Sequence, residues 1–238
     1  MDSTIYDRIV NCHPICMKNN MLDVTTTVST SQTNSIRLEY ANILIAVMKL
    51  LKGSESEMLP FMNFLLHSYY CWLPDYFFIT PASSTGKYHP GFANKPNGLM
   101  LHSLAVARYT DSFCDFLPDL SIRQRNTLVC AAWLHDMFKY GNPFTFKAGI
   151  YTDHGHPAYA ADFFLNDLVT RDCLTLGLTQ NEVLLMSDVI KTHMGPFTTS
   201  KHSNVVLEKP KTILQNLLFK ADYFASRKEN DIVKDLLP

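Results

Sequence analysis

An all-α fold is predicted by three features of this 238-residue sequence. Apolar residues recur at helical spacing in most segments. Several segments begin with Ser or Thr followed three residues later by Glu or Gln, which is the capping-box pattern of a helix start. We find no run of segments that alternate between apolar and polar residues as strands do. The sequence therefore predicts seven or eight helices packed into a single bundle.

Two helices are predicted in the N-terminal third of the chain. Ser35 would cap a helix over residues 36–51, whose apolar residues are spaced for one buried face. Ser54 and Glu57 form a capping box before a second helix over residues 58–70. We expect these helices to form an extension that packs on the rest of the chain.

A long connection, residues 74–98, follows these helices. We therefore divide the chain into an N-terminal helical extension, residues 1–79, and a main domain, residues 80–238. Loops of this length inside a compact chain are usually functional or disordered. This loop carries a Lys-Tyr-His run at residues 87–89, which favours function.

Five helices are predicted in the main domain. They cover residues 99–116, 121–136, 156–169, 179–193 and 210–225. Ser121 and Thr179 each begin a capping box, and Pro157 suits the first position of a helix. Residues 142–155 are irregular, with a short hairpin as one interpretation.

Composition and charge limit the function. A formal net charge of -1 argues against a broad basic face for long nucleic acid, although it permits a local basic cleft. We expect no signal peptide, and the longest apolar runs are too short or too interrupted to span a bilayer. The six cysteines are scattered, which is typical of free thiols in a reducing cytoplasm. The pair at Cys12 and Cys16 leaves zinc as a weaker alternative. The predicted location is cytoplasmic, without a membrane partner, and the oligomeric state is not indicated.

An adjacent pair, His135 and Asp136, predicts a metal site because it closes an apolar segment. Two polar ligands at the end of a buried helix are costly unless a bound cation neutralises them. Imidazole nitrogen and carboxylate oxygen both bind divalent cations. Lys139 lies one turn beyond His135 and would share a helix face with it. The alternative is a locally capped Asp beside a hydrogen-bonded His.

Further candidate ligands lie on other predicted helices, in or near their apolar faces. They are His102, His156, His193 and Asp222. Asp222 is the hardest to leave unpaired, because a lone buried carboxylate is strongly disfavoured. His154 is an alternative to His156. Nitrogen and oxygen ligands without cysteine favour Mn, Fe, Co, Ni or Mg over structural zinc.

The order of these ligands along the chain resembles that of the HD-domain metal-dependent phosphohydrolases. That order is His102, then His135 with Asp136, then Asp222. NGLMLHSL at residues 97–104 resembles the GGLLxHSL that opens the family motif, and LHDMFK at residues 134–139 resembles LHDxxK. The Pro-Ala pair at residues 81–82 with His89 is similar to the segment before this motif in HD-type 3′-to-5′ exoribonucleases and relaxases. The resemblance covers roughly residues 80–228.

This resemblance implies a single HD-domain helical bundle that holds one or two divalent metal ions. The first ion would be bound by the four residues of the motif. Asp136 would bridge to a second ion held by His156 and His193. The sequence departs from the family in two places, since Asn97 replaces a glycine and only one histidine stands where many dinuclear members carry two.

The resemblance also implies hydrolysis of a phosphate ester in a nucleotide or a short single-stranded nucleic acid. Water activated at the metal would attack phosphorus, and Lys139 would stabilise the charge on the phosphoryl oxygens. Lys87, Tyr88 and His89 would hold the phosphate or protonate the leaving oxygen. Asp136, Lys139 and His89 are therefore the predicted catalytic residues. The alternatives are an HD module that senses a nucleotide without turnover and an HD-type di-iron oxygenase.

Overall fold

The computed structural model describes residues 30–87, 89–141 and 149–228, and these residues form a helical bundle without strands. The helices are α1 (Thr30–Glu39), α2 (Ala41–Met48), α3 (Glu55–His67), α4 (Tyr76–Ile79), α5 (Gly98–Cys114), α6 (Ile122–Leu134), α7 (His156–Leu165), α8 (Asp167–Thr175), α9 (Gln180–Lys191) and α10 (Ile213–Ala225). A π-helix, Ser68–Trp72, directly continues α3, and a short 3-10 helix covers Gly91–Ala93. The predicted all-α fold is confirmed.

Two of the predicted helices prove to be pairs of helices. The helix expected over residues 36–51 is interrupted at Tyr40, which lies outside the helical region between α1 and α2. The helix expected over residues 156–169 ends at Leu165, because Asn166 adopts an extended backbone. The side chain of Asn166 then accepts a hydrogen bond from the N–H of Leu168 and so caps α8.

The last helix begins three residues later than the sequence suggested. Its first residue is Ile213 rather than Pro210, because Thr212 and Gln215 form a reciprocal capping box. The capping boxes predicted for α3, α6 and α9 are all present. Side-chain capping therefore decides where these helices begin.

The hydrophobic core lies around α5 and α6. Helix α5 packs against α6 and α10, while α9 packs against α6 and α7. The largest side chain buried in this core is that of Trp133 in α6. The predicted extension contributes to the same core, since α2 and α4 pack on α5 and α3 packs on α6.

The start of α5 depends on Asn97 and Gly98. Asn97 has φ of 62°, a left-handed conformation that glycine adopts freely and that asparagine tolerates better than most residues. The next residue must be small, because a Cβ on Gly98 would lie 2.1 Å from the carbonyl oxygen of Ala93. The Asn-Gly pair thus forms the sharp turn into the helix that carries His102.

Two further features concern the lengths of the helices and the state of the cysteines. Within the described ranges, no helix is long and apolar enough to cross a membrane. Cys114, Cys130 and Cys173 are free and buried, as expected for thiols in a core. Cys71 is disulfide-bonded, so the expectation that all six cysteines are free thiols is wrong. The cysteines therefore give less support to a reducing compartment than the sequence suggested.

Candidate metal centre

The six predicted metal ligands come together at one place in the bundle. They are His102 in α5, His135 and Asp136 just after α6, His156 at the start of α7, His193 just after α9 and Asp222 in α10. The side chain of Asp222 is 17% exposed, and the other five residues are buried. Within subsets of three, their ligand atoms lie within 4.8 Å of one another. Six residues from five helices thus face one small volume.

Asp136 is the centre of this cluster, and its two oxygen atoms face different histidines. Oδ2 lies 3.3 Å from Nε2 of His135 and 3.6 Å from Nε2 of His102. Oδ1 lies 2.9 Å from Nε2 of His156 and 3.6 Å from Nε2 of His193. A carboxylate placed in this way has one oxygen for each of two neighbouring cation positions.

Asp222 lies close to two of the same histidines. Its Oδ1 atom lies 3.1 Å from Nε2 of His102 and 3.8 Å from Nε2 of His135. Two ligand atoms that are each about 2.1 Å from one ion and at right angles to each other lie about 3 Å apart. The spacing of the nitrogen and oxygen atoms therefore suits a divalent cation between them.

Backbone carbonyl groups hold three of the imidazoles in place. The Nδ1 atoms of His135, His156 and His193 each lie within hydrogen-bond distance of the carbonyl oxygen three residues earlier, at 2.7, 2.5 and 2.8 Å. Each contact suits the tautomer with its proton on Nδ1 and leaves Nε2 as an acceptor towards the cluster. This is the carbonyl-to-histidine arrangement that commonly orients metal-binding imidazoles.

Buried atoms without hydrogen bonds also fit a metal ion. Nε2 of His102, Nε2 of His135 and Oδ1 of Asp136 are inaccessible to solvent and form no hydrogen bond with the described residues. The proximity of His156 Nε2 to Asp136 Oδ1 does not satisfy the geometry of a hydrogen bond. Buried polar atoms rarely stay unpaired, because their lost hydration is unfavourable. A cation at these atoms would compensate for that loss.

The electrostatics keep both carboxylates ionised. Burial opposes the charge of Asp136, but Lys139 and His135 outweigh it and hold the pKa of Asp136 well below its usual value. Burial likewise opposes the charge of Asp222, yet His102 and His135 lower its pKa. Burial lowers the pKa of His193 to about 4, so that this imidazole is neutral near pH 7. Ionised carboxylates and neutral imidazole are the forms that bind metal, so an ion would compete with the proton on His135, whose pKa Asp136 raises against the effect of burial.

Lys139 is a buried part of the cluster and not a solvated cation at a helix end. It is 8% exposed, and its Nζ donates a hydrogen bond to Oδ2 of Asp136. Its carbonyl oxygen accepts a hydrogen bond of 2.9 Å from the N–H of Asp153, which brings the segment before α7 to the site. Lys139 therefore places a positive charge beside Oδ2 of Asp136.

His89 lies beside the cluster but outside the groups that could hold a metal. Its ring meets that of His102 edge to face, with the centroids 4.8 Å apart. Its Nε2 atom lies 3.5 Å from Oγ of Ser226, which in turn is 3.4 Å from Oδ1 of Asp222. Burial, reinforced by His102 and Lys139, lowers the pKa of His89 to about 2. A neutral His89 suits hydrogen bonding better than proton donation as a general acid.

The other predicted substrate-binding residues lie in the same loop. Lys87 is exposed, and Tyr88 lies outside the described residues. His154 is directed away from the cluster, with its Nε2 atom 3.2 Å from the carbonyl oxygen of Thr198, so the geometry favours His156 as the ligand. Sequence reasoning missed Ser226, although its position four residues after Asp222 would have placed it on the same helix face.

Comparisons of the chain with models of protein families, with curated proteins and with solved structures found no match. Assignment to the HD family therefore stays a prediction based on the motifs. The site itself is defined by the geometry of the six residues.

Proposed function

We propose that the protein is a metal-dependent phosphohydrolase or phosphodiesterase. Its substrate would be a phosphate ester in a nucleotide or a short single-stranded nucleic acid. The observation that carries this proposal is the position of Asp136, whose two oxygens face two separate pairs of histidine Nε2 atoms. Paired cation positions bridged by a carboxylate are typical of enzymes that cleave phosphate esters.

The residues of the cluster would bind one or two divalent ions, with Mn, Fe, Co, Ni or Mg as candidates. His102, His135, Asp136 and Asp222 would hold the first ion. Asp136 would share the second with His156 and His193. Ions bound here would supply a nucleophile from water near neutral pH and neutralise charge on the phosphate.

Lys139 and His89 would act on the substrate. The ammonium group of Lys139 is buried next to Asp136, so it would stabilise negative charge that develops on a phosphoryl oxygen. His89 lies next to His102 and is neutral, so it would position the phosphate or the leaving oxygen through a hydrogen bond. Lys87 and Tyr88 would contact the same part of the substrate from the loop.

A substrate screen tests the proposal. The metal-loaded protein would be incubated with nucleotides, cyclic dinucleotides and labelled oligonucleotides, and the products separated by chromatography. We expect release of phosphate or of a nucleoside monophosphate from at least one class, and no release by Asp136→Asn. Tight nucleotide binding without turnover would support a sensing module instead.

Metal analysis and an oxygen electrode would distinguish the proposed hydrolase from a di-iron oxygenase, because an iron-loaded oxygenase consumes oxygen whereas a hydrolase does not.

The proposal also retains the cytoplasm as the cellular location. Cell fractionation with an antibody against the protein would test that placement, and recovery from a secreted fraction would overturn it.

A further inference from the structure

The side chain of Asn94 crosses the loop that carries Lys87 and His89. Its Nδ2 atom donates hydrogen bonds to the carbonyl oxygens of Gly86 and His89, at 3.3 and 2.6 Å. Both of these partners are acceptors, so the amide nitrogen and not the amide oxygen must face them. One side chain therefore fixes both ends of the segment 86–89.

Asn94 lies where this loop is joined to α5. The N–H of Ala82 donates a hydrogen bond of 2.8 Å to the carbonyl oxygen of Ala93, which closes the base of the loop. The N–H of Leu99, in the first turn of α5, donates a hydrogen bond of 3.0 Å to the carbonyl oxygen of Thr80. Since α5 also carries the first candidate ligand, Asn94 keeps a fixed position relative to the candidate metal centre.

The ring of His89 has only weak contacts of its own. It meets the ring of His102 edge to face, and its Nε2 atom lies 3.5 Å from Oγ of Ser226. Its Nδ1 atom is inaccessible to solvent and forms no hydrogen bond with the described residues. Within the described part of the chain, the bond from Asn94 to its carbonyl group is the shortest hydrogen bond that His89 forms. The position of the ring therefore depends on the backbone that Asn94 holds.

Asparagine suits this position through its donor and not through its acceptor. Among the described residues, the buried Oδ1 atom of Asn94 has no hydrogen-bond partner, so the benefit of the side chain lies in Nδ2. An aspartate here would have no hydrogen to donate and would place its charge beside two carbonyl oxygens. An alanine would remove the donor without adding a charge. Comparison of these two substitutions separates the loss of the hydrogen bonds from the effect of charge.

We propose that Asn94 is the positioning residue for His89. By holding the carbonyl group of His89, it keeps the imidazole against His102 and close to Asp222, where the ring can reach a substrate phosphate. The placement of the ring is a property of the fold, whereas its effect on turnover rests on the proposed phosphohydrolase function. Within the described residues, Asn94 forms no hydrogen bond with any of the six candidate ligands, so metal binding should survive its loss.

Chemical modification of His89 tests this placement without a substrate. Diethyl pyrocarbonate reacts with accessible neutral imidazole, and peptide mass spectrometry measures the rate at each histidine. Loss of the two hydrogen bonds in Asn94→Ala should raise the rate at His89 by at least about tenfold, because the loop then opens more often. The rate at the exposed His202 should be unchanged. Asn216→Ala removes a similar bond, to the carbonyl oxygen of Thr212 on α10, and as the matched control should leave His89 protected.

A double-mutant cycle tests whether Asn94 acts through His89. Asn94→Ala and Asn94→Asp should each lower kcat by about tenfold, with KM changed less and metal content unchanged, because a misplaced group loses rate. In a His89→Ala background the same substitutions should lower kcat by less than about twofold, since the ring through which they act is already missing. A general structural role would lower kcat equally in both backgrounds.

Three results would overturn the proposal. They are an unchanged rate of modification at His89 in Asn94→Ala, a loss of kcat confined to Asn94→Asp, and an equal loss of kcat with and without His89. A protein that hydrolyses no phosphate ester would refute the proposed function, while a faster modification in Asn94→Ala would still support the placement of His89 by Asn94. The two failures are therefore distinguishable.

Discussion

The Nε2 atom of His102 lies 3.1 Å from the Oδ1 atom of Asp222, so α5 and α10 meet at the candidate metal centre through an imidazole and a carboxylate. Because α5 and α10 also pack against each other over their length, the separation of the two ligands is set by the core. The effect of a substitution at the candidate metal centre can therefore be attributed to metal binding when the helix content of the variant is measured as well.

Replacement of the bridging carboxylate, Asp136→Ala, should abolish metal binding. Asp136 faces all four histidines of the cluster, so each cation position loses its shared carboxylate. Metal content measured by mass spectrometry should fall to near zero while circular dichroism retains most helix signal. Asp167→Ala, an exposed carboxylate, serves as the control. Retention of stoichiometric metal by Asp136→Ala would show that the metal assignment is wrong.

The variants His156→Ala and His193→Ala should each lose one ion and keep the other. In the proposed arrangement the remaining ion keeps His102, His135, Asp136 and Asp222, which neither change removes. Metal counting on the purified variants measures this directly, with the exposed His202→Ala as control. Unchanged metal content in both variants would instead indicate a mononuclear site with two structural histidines.

The variant Lys139→Met should bind metal at least as tightly as the wild type but turn over substrate more slowly. The ammonium group of Lys139 is bonded to Oδ2 of Asp136 and competes with a cation for that atom. Its loss also removes a charge that stabilises the phosphoryl oxygens, which corresponds to about 10²–10³-fold in kcat. Titration with Mn²⁺ and steady-state kinetics test both parts, with Lys95→Met as control. Weaker metal binding in Lys139→Met would contradict this assignment.

The variant His89→Ala should lower turnover by about 10–10²-fold with metal content unchanged, the size expected for one hydrogen bond to a charged group. The pKa of about 2 makes His89 neutral, so its loss should not shift the acidic limb of the pH–rate profile. His89→Gln, which keeps a donor, should recover part of the rate. Normal kcat and KM for His89→Ala would remove His89 from the mechanism.

The variant Glu182→Gln should lose stability at neutral pH but not in acid. Burial opposes the charge of Glu182, but Arg123 and the N–H of Thr179 lower its pKa. Because the folded-state pKa is below the unfolded value, the stabilisation is present above the unfolded pKa and is lost as pH falls through the folded one. Glutamine can keep the capping box through its one oxygen, but its amide nitrogen cannot accept a hydrogen bond from Arg123, so the charge and one acceptor are lost together.

For Glu182→Gln, the free energy of unfolding should fall by about 1–2 kcal/mol at pH 7. Thermal melts of the metal-free protein should show that the difference from the wild type shrinks towards pH 3. The exposed Glu39→Gln should show no difference at either pH. An equal loss of stability at both pH values would mean that packing, and not charge, explains the effect.

Capping residues made much of the fold predictable. The boxes at Ser54, Ser121 and Thr179 mark the starts of α3, α6 and α9, and all three are present. Asn166 and Thr212 carry the same signals, but the apolar spacing predicts that the helix continues through Asn166, and Pro210 predicts an earlier start for the last helix. In both cases the local hydrogen bond to the backbone decided the boundary.

The candidate ligands were predictable because isolated polar residues stood out in apolar helix faces. Which of these ligands lie next to one another was not predictable, since that depends on how α5, α7 and α10 pack in space. The hydrogen bonds of the histidine Nδ1 atoms were also not predictable from the sequence, because their partners are backbone carbonyl groups, which every residue has. Ser226 was not predicted because serine is common on helices, and its contacts with His89 and Asp222 are visible only in the structure.

The carbonyl groups that hold His135, His156 and His193 have a kinetic consequence. Each lies three residues before its histidine, so the orientation of the ring is fixed within a single turn of chain. No distant segment has to move before these three Nε2 atoms are ready to receive an ion. Metal uptake should therefore need no reorientation of these three rings, and its slow step should be the opening that lets an ion reach the buried ligand atoms.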